Sequence, residues 1–118
     1  MGMAVSEIVG ASGVDRGYVR IADHAAIGNL LTVALVARDG AVDWCCLPEL
    51  DSPSAFASIL DSENGGCFRV APDVGDAPPV LGEQRYLPHT NVVETTFTLG
   101  AARLTVTDFM PLGGPLSQ

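Results

Sequence analysis

Two runs of β-branched and apolar residues separated by a short polar turn form the clearest pattern in the chain. Residues 31–37 and 41–47 flank Arg38-Asp39-Gly40. An Asp-Gly pair between such runs is typical of a tight β-hairpin. We therefore predict an antiparallel hairpin, whose second strand places Val42, Trp44 and Cys46 on one face.

A second hairpin is predicted near the other end of the chain. Residues 92–99 and 102–109 alternate in polarity around Gly100-Ala101, with Leu104 and Val106 on one face of the second strand. One face of an antiparallel sheet commonly packs on the core while the other meets water. Residues 67–71 and 83–87 read as two further strands, and the proline-rich segment between them reads as a loop.

One short helix is predicted between the hairpins. Ser52 before Pro53 is a favourable N-cap followed by proline at the first helical position. Phe56, Ile59 and Leu60 then fall on one helical stripe. The pattern predicts about two turns over residues 53–60. With the strands, it indicates a mainly β fold: an antiparallel β-sandwich, or part of one, with one short helix.

Composition restricts the classes of function. The formal net charge is −8, which disfavours nucleic acid and anionic membranes as partners. No apolar run approaches the roughly 20 residues of a membrane span, and the first 17 residues lack the pattern of a secretory signal. We interpret residues 1–17 as a flexible leader. The three cysteines have neither a disulfide framework nor a metal-ligand spacing, so we expect reduced thiols in a cytoplasmic protein without metal or cofactor.

Candidate catalytic groups are sparse. The sequence gives no evidence that any two of its acids face each other across a scissile bond. The Asp23-His24 pair is more typical of a turn or an edge position in contact with solvent than of an oriented base. Trp44 offers an indole face that can stack on a sugar, although its alternation with Val42 and Cys46 favours a place in the core.

The stretch from Asp43 to Ala57, Asp-Trp-Cys-Cys-Leu-Pro-Glu-Leu-Asp-Ser-Pro-Ser-Ala-Phe-Ala, resembles a motif of family-15 glycoside hydrolases, the bacterial glucoamylase-like and trehalase-like enzymes. Residues 21–29 and 37–43 before it, and 85–86, 90–95 and 106–111 after it, are similar in the same order. The resemblance covers about residues 19–115. It implies that residues 18–118 are the N-terminal β-domain of such an enzyme, and an incomplete one.

In that family the catalytic glutamates lie in a barrel of paired helices that follows the sandwich, and hydrolysis inverts the anomeric centre. The resemblance therefore implies no catalytic residue in this chain. It implies a catalytic helical barrel as partner, in cis or in trans, with Asp51 and Trp44 as candidates for contact with an α-glucoside at the rim of the active site. The alternatives are a free-standing carbohydrate-binding or protein-interaction module, and a complementing half that associates through open sheet edges.

Overall fold

The computed structural model describes Ile8–Val9 and residues 18–112, which form two antiparallel sheets. The first sheet has the order β1-β6-β4-β3-β2, with β5 beside β6 on the same edge of β4, and the second has the order β7-β8-β9. The strands are β1 Ile8–Val9, β2 His24–Gly28, β3 Val33–Ala37, β4 Ala41–Cys46, β5 Ser54–Phe56, β6 Cys67–Arg69, β7 Glu83–Tyr86, β8 Val93–Leu99 and β9 Ala102–Asp108. The predicted mainly β fold is confirmed.

Both predicted hairpins are present, as β3–β4 and β8–β9. In the first turn Gly40 has a φ of +87°, and a Cβ there would lie 2.1 Å from the carbonyl oxygen of Val70. Only glycine fits that position. The Asp39 carboxylate accepts a hydrogen bond from the backbone N–H of Ala41 at 3.2 Å, which closes the turn.

The predicted helix over residues 53–60 is wrong. Ser54–Phe56 instead forms strand β5, which pairs with β4 through Cys46 and Cys45. The chain then turns at Ala57, whose carbonyl oxygen accepts from the N–H of Leu60 at 2.9 Å. Pairing with an open edge of β4 outweighs the local capping pattern because it satisfies backbone groups on both strands. The helix found in the described residues is a single 3₁₀ turn at Ile21–Asp23.

A β-bulge in β4 overturns the predicted faces of the first hairpin. Leu35 lies opposite Trp44 while the next residue, Val36, lies opposite Val42, so Asp43 is the extra residue of a bulge. Because Leu35 and Val36 point to opposite faces of β3, Trp44 and Val42 do as well. Val42 packs against the core, whereas Trp44 is half-buried on the outer face.

The core lies between the two sheets. Small and branched side chains of β2, β3 and β4 pack there against Val93 of β8, and Phe97 of the same strand is fully buried. Both Cys45 and Cys46 are buried, although regular alternation would bury one of them. A second register shift, between these two cysteines in the β4–β5 pairing, accompanies this departure.

Side chains of β7 and of the loop between β7 and β8 also bond the backbone of the first sheet. The Tyr86 hydroxyl accepts from the N–H of Ala26 and donates to its carbonyl oxygen, both at 2.9 Å. The Asn91 amide donates to the carbonyl oxygen of Gly28 at 2.7 Å. Since β2 is an edge strand, these bonds occupy backbone groups that its single neighbour β3 leaves open.

Most of the predicted leader, residues 1–7 and 10–17, lies outside the described residues. Within it Ile8–Val9 is described, and it pairs with β6. The domain boundary at residue 18 stays a prediction. No helix in the described part of the chain is long and apolar enough to cross a membrane.

Candidate functional site

The described surface contains an apolar cleft of about 580 Å³. Its walls come from β2, from the turn that follows it, from the loop after β4, and from the chain that leaves β9. Five large apolar side chains of these walls are more than half exposed: Leu30, Leu31, Leu50, Phe109 and Leu112. Exposed apolar groups gathered in one place mark an interaction surface. We call this surface the apolar cleft.

A hydrogen-bonded turn forms one wall of the apolar cleft. The side-chain oxygen of Asn29 accepts from the N–H groups of Leu31 and Thr32, each at 3.0 Å. The Thr32 hydroxyl donates to the carbonyl oxygen of Cys46. The N–H of Leu50 donates to the carbonyl oxygen of Leu31 at 3.0 Å, which ties the loop after β4 to the same turn. The wall is therefore held to the end of β4 and to the loop that follows it.

Asp51 lies at the rim of this cleft. It is exposed and lines a shallow extension together with Glu49 and Leu50. The carbonyl oxygen of Glu49 accepts from the N–H of Ser52 at 3.0 Å, and this turn holds the loop around Asp51. An exposed carboxylate on a fixed turn can accept hydrogen bonds from hydroxyl groups of a ligand.

Trp44, the other sequence-predicted site residue, is not brought to the cleft. It lies on the outer face of β4 opposite Leu35 and is not among the described residues that line the cleft. The structure thus separates the two candidates. The predicted place of Trp44 in the core is wrong, because the bulge at Asp43 turns the indole to the outer face.

A buried polar cluster joins three distant segments. The side chain of His24 has no exposed surface, and its Nε2 lies 2.7 Å from Oδ2 of Asp43. Its Nδ1 lies 2.9 Å from the carbonyl oxygen of Arg20. The Ser58 hydroxyl donates to the other oxygen of Asp43 at 3.0 Å. His24 does lie at an edge, where it begins β2 directly after the 3₁₀ turn, but the expected contact of its side chain with solvent is wrong.

This cluster is structural rather than catalytic. In nucleophilic triads the histidine lies between serine and carboxylate and can reach a substrate. Here the carboxylate of Asp43 lies between Ser58 and His24, and the histidine side chain is closed off from solvent. The arrangement fixes strand β2 and the segment after β5 to the bulge of β4.

The remaining titratable groups of the described residues show two further features. Among the described residues, no group of three or more His, Cys, Asp or Glu side chains lies where it could hold a metal ion. Burial, and then the neighbouring Cys46, raise the pKa of the Cys45 thiol, which disfavours the reactive thiolate. Burial also raises the pKa of Asp108 at the end of β9.

The sequence interpretation missed the apolar cleft. The available signal was the placement of leucines beside turn-forming and acidic residues, in Asn29-Leu30-Leu31 and Glu49-Leu50-Asp51. Apolar residues at such positions are not part of a strand or helix pattern. Whether they face inward or outward depends on how the two loops meet, which local periodicity does not determine.

The family model and the related proteins that match this chain agree with one another. A family model described as "Trehalase-like, N-terminal" matches residues 13–116. The chain is 45% identical over 96 residues to a trehalase of Thermoplasma volcanium, a match of 80% of this chain and 15% of that protein. It is 38% identical over 93 residues to a trehalase of Mycobacterium tuberculosis, and 33% identical over 93 residues to trehalase 2 of Sulfolobus acidocaldarius.

Each of these matches covers only a small part of the relative. The M. tuberculosis match covers 79% of this chain and 13% of that protein, and the S. acidocaldarius match covers 79% and 15%. The chain thus spans about one seventh of the length of the curated relatives it matches. No solved structure gives a significant match.

Proposed function

The chain belongs to the trehalase-like N-terminal family, and on that premise we propose that it is the non-catalytic β-sandwich segment of a trehalase-type glycoside hydrolase. In this role it packs against a helical catalytic barrel that lies outside the segment. The sandwich stabilises the barrel and lines part of the mouth of its active site. The substrate class is the α-glucosides, of which trehalose is named by the relatives.

The apolar cleft is the observation that carries this proposal. Leu30 is 93% exposed and Leu112 is 70% exposed, and each large aliphatic side chain contributes about 1.5–3 kcal/mol when it leaves water. A cluster of this size is expected at an interface between parts of one protein, where the apolar groups become buried. The relatives, in which about six sevenths of the polypeptide lies outside the match, supply such a part.

The position of Asp51 supports a contact with substrate at the edge of that interface. Its carboxylate stands at the rim of the apolar cleft and remains exposed. Once the cleft is covered by a barrel, the rim is where the two parts of the enzyme meet solvent. A carboxylate there can accept hydrogen bonds from sugar hydroxyls.

A chimaeric enzyme tests both parts of the proposal. This chain replaces the matching segment of the T. volcanium trehalase, and trehalose hydrolysis and thermal unfolding are measured. We expect an active enzyme in which Asp51→Ala raises KM about tenfold, equivalent to a lost bond of about 1.4 kcal/mol, without a change of Tm. Asp76→Ala, in an exposed loop outside the cleft, is the matched control and leaves KM unchanged.

The outcomes separate the alternatives. A lower Tm with unchanged KM for Asp51→Ala would contradict the substrate contact and leave the packing role. An inactive chimaera whose sandwich unfolds at the same temperature as the isolated chain would contradict the packing role. In that case the half-buried Trp44 favours a free-standing sugar-binding module, and as the single tryptophan of the chain its fluorescence reports directly on trehalose binding.

A further inference from the structure

Leu30 combines two unfavourable features in one residue. Its side chain is 93% exposed, and its φ is +73°. The left-handed region is less favourable than the right-handed one for a residue with a Cβ. Because the side chain is exposed to water, no burial of the leucine offsets this unfavourable backbone conformation. Residues held in such a conformation cluster at active sites, ligand clamps and switch regions.

The turn that carries Leu30 is fixed before any partner arrives. The Asn29 side chain accepts from the two N–H groups that follow Leu30, and Leu31 is tied through its carbonyl oxygen to Leu50. Thr32 is buried and bonded to the end of β4. Because the backbone of this turn is already ordered, little backbone entropy is lost when Leu30 is buried, so its burial contributes more to association.

We propose that Leu30 is the central anchor by which this segment docks on the helical part of its own enzyme, inserting into an apolar pocket there. The inference rests on the proposed function and specifies its contact surface. The pocket is expected to be lined by aliphatic or aromatic side chains. A Lys or Arg is expected beside it, opposite Glu49, which lies on the same rim and is exposed.

Two observations select this occupant over a second copy of the chain. The polypeptide passes from β9 directly into the wall of the cleft through Phe109, Met110 and Leu112, so the cleft adjoins the path of the chain itself. In addition, the chain has a net charge of −8. Two copies meeting through the same cleft would bring their acidic rims together, and like charges oppose such an interface.

Thiol labelling tests the contact directly. Leu30→Cys is introduced in the isolated chain and in the chimaera with the T. volcanium trehalase, and the rate of maleimide labelling is measured against the unsubstituted proteins. We expect position 30 to be labelled at least about tenfold more slowly in the chimaera, since labelling then requires local opening of the interface. Leu81→Cys, at a leucine that is 62% exposed and outside the cleft, should label equally fast in both.

A second pair of variants does not depend on labelling. Leu30→Asp should lower the Tm of the chimaera by several degrees and leave the Tm of the isolated chain unchanged or higher, whereas Leu81→Asp should change neither. Unprotected labelling at position 30 in an active chimaera would overturn the docking face while leaving the proposed function intact. Protection that depends on the concentration of the isolated chain would assign the cleft to a second copy and overturn the proposal. An inactive chimaera with an independent sandwich would overturn both.

Discussion

At the scale of single residues, the bulge at Asp43 determines how the first sheet is joined. The extra residue interrupts the alternation of β4, and the Asp43 carboxylate bonds both His24 and Ser58. Two segments far apart in the sequence are thereby attached to one strand. A carboxylate withdrawn from water is stabilising only when its partners remain in place, because an unpaired buried charge is costly.

Removing that carboxylate is predicted to be strongly destabilising. Asp43→Ala leaves the His24 ring and the Ser58 hydroxyl without their shared acceptor, and we expect a loss of about 3–5 kcal/mol in the free energy of unfolding. Ser58→Ala removes one bond to the same carboxylate and should cost about 1.5–3 kcal/mol. Urea unfolding of the chain measures both.

The control for this prediction is Asp76→Ala, an exposed acid that should change the free energy of unfolding by less than about 0.5 kcal/mol. If Asp43→Ala costs no more than Ser58→Ala, the cluster does not hold the sheet as described.

Residues whose role is local were predictable, and those whose role depends on distant partners were not. Gly40 follows from turn chemistry, because the Asp-Gly pair itself requires a positive φ there. The contact between His24 and Asp43 spans 19 positions. It depends on a bulge that no alternation of hydrophobic and polar residues indicates. The same bulge explains why Trp44, predicted to lie in the core, faces outward.

At the scale of elements, the failure of the helix prediction has a physical cause. The Ser52-Pro53 cap and the apolar stripe after it are favourable for a helix when considered alone. In the structure, Cys45 and Cys46 of β4 pair with this segment instead, and the N–H of Ala57 donates to the carbonyl oxygen of Gly65 at 2.9 Å. A two-turn helix is only marginally stable by itself, so the backbone pairing determines the conformation.

Strand β2 was also missed, although the two hairpins were correctly predicted. Its sequence, His-Ala-Ala-Ile-Gly, has few residues of high β-propensity. The strand is stabilised instead by its pairing with β3 and by the hydrogen bonds from Tyr86 and Asn91 on its other edge. A strand stabilised mainly by its neighbours gives a weak local signal.

The Tyr86 hydroxyl is predicted to link the two sheets energetically. Tyr86→Phe removes its two bonds to the backbone of Ala26 and should lower the free energy of unfolding by about 1 kcal/mol, at the lower end for two bonds because the side chain is half exposed. Amide exchange at Ala26 should accelerate as the edge of β2 opens. Tyr18→Phe, at an exposed tyrosine outside both sheets, serves as the control. Equal stabilities of the two variants would contradict the link.

At the scale of the whole molecule, the two sheets are unequal. In the described residues, the second sheet has three strands and the first sheet has six. The inward-facing Leu104 and Val106 of β9 are only half-buried. On its outer side β9 has no paired strand within this part of the chain. This seven-residue edge differs from the edge of β2, which is bonded by side chains. It is an open edge through which strand addition can occur.

Self-association through β9 is predicted to depend on charge. At pH 7 the net charge of −8 keeps copies apart, and near the isoelectric point of about 4.3 that repulsion vanishes. Sedimentation velocity should therefore detect monomers at pH 7 and larger species near the isoelectric point.

Substitutions at Thr105 test whether self-association near the isoelectric point occurs through the β9 edge or through the apolar cleft. Leu99 and Ala102 close the two-residue turn as a hydrogen-bonded pair, so by alternation the N–H of Thr105 points away from β8. Thr105→Pro removes this outward donor without breaking the ladder to β8 and should reduce association near the isoelectric point. Thr105→Ala loses the same hydroxyl but keeps the N–H, and it should associate like the unsubstituted chain. Equal association of the two variants would show that the copies join through another surface. The apolar cleft is the first candidate for that surface.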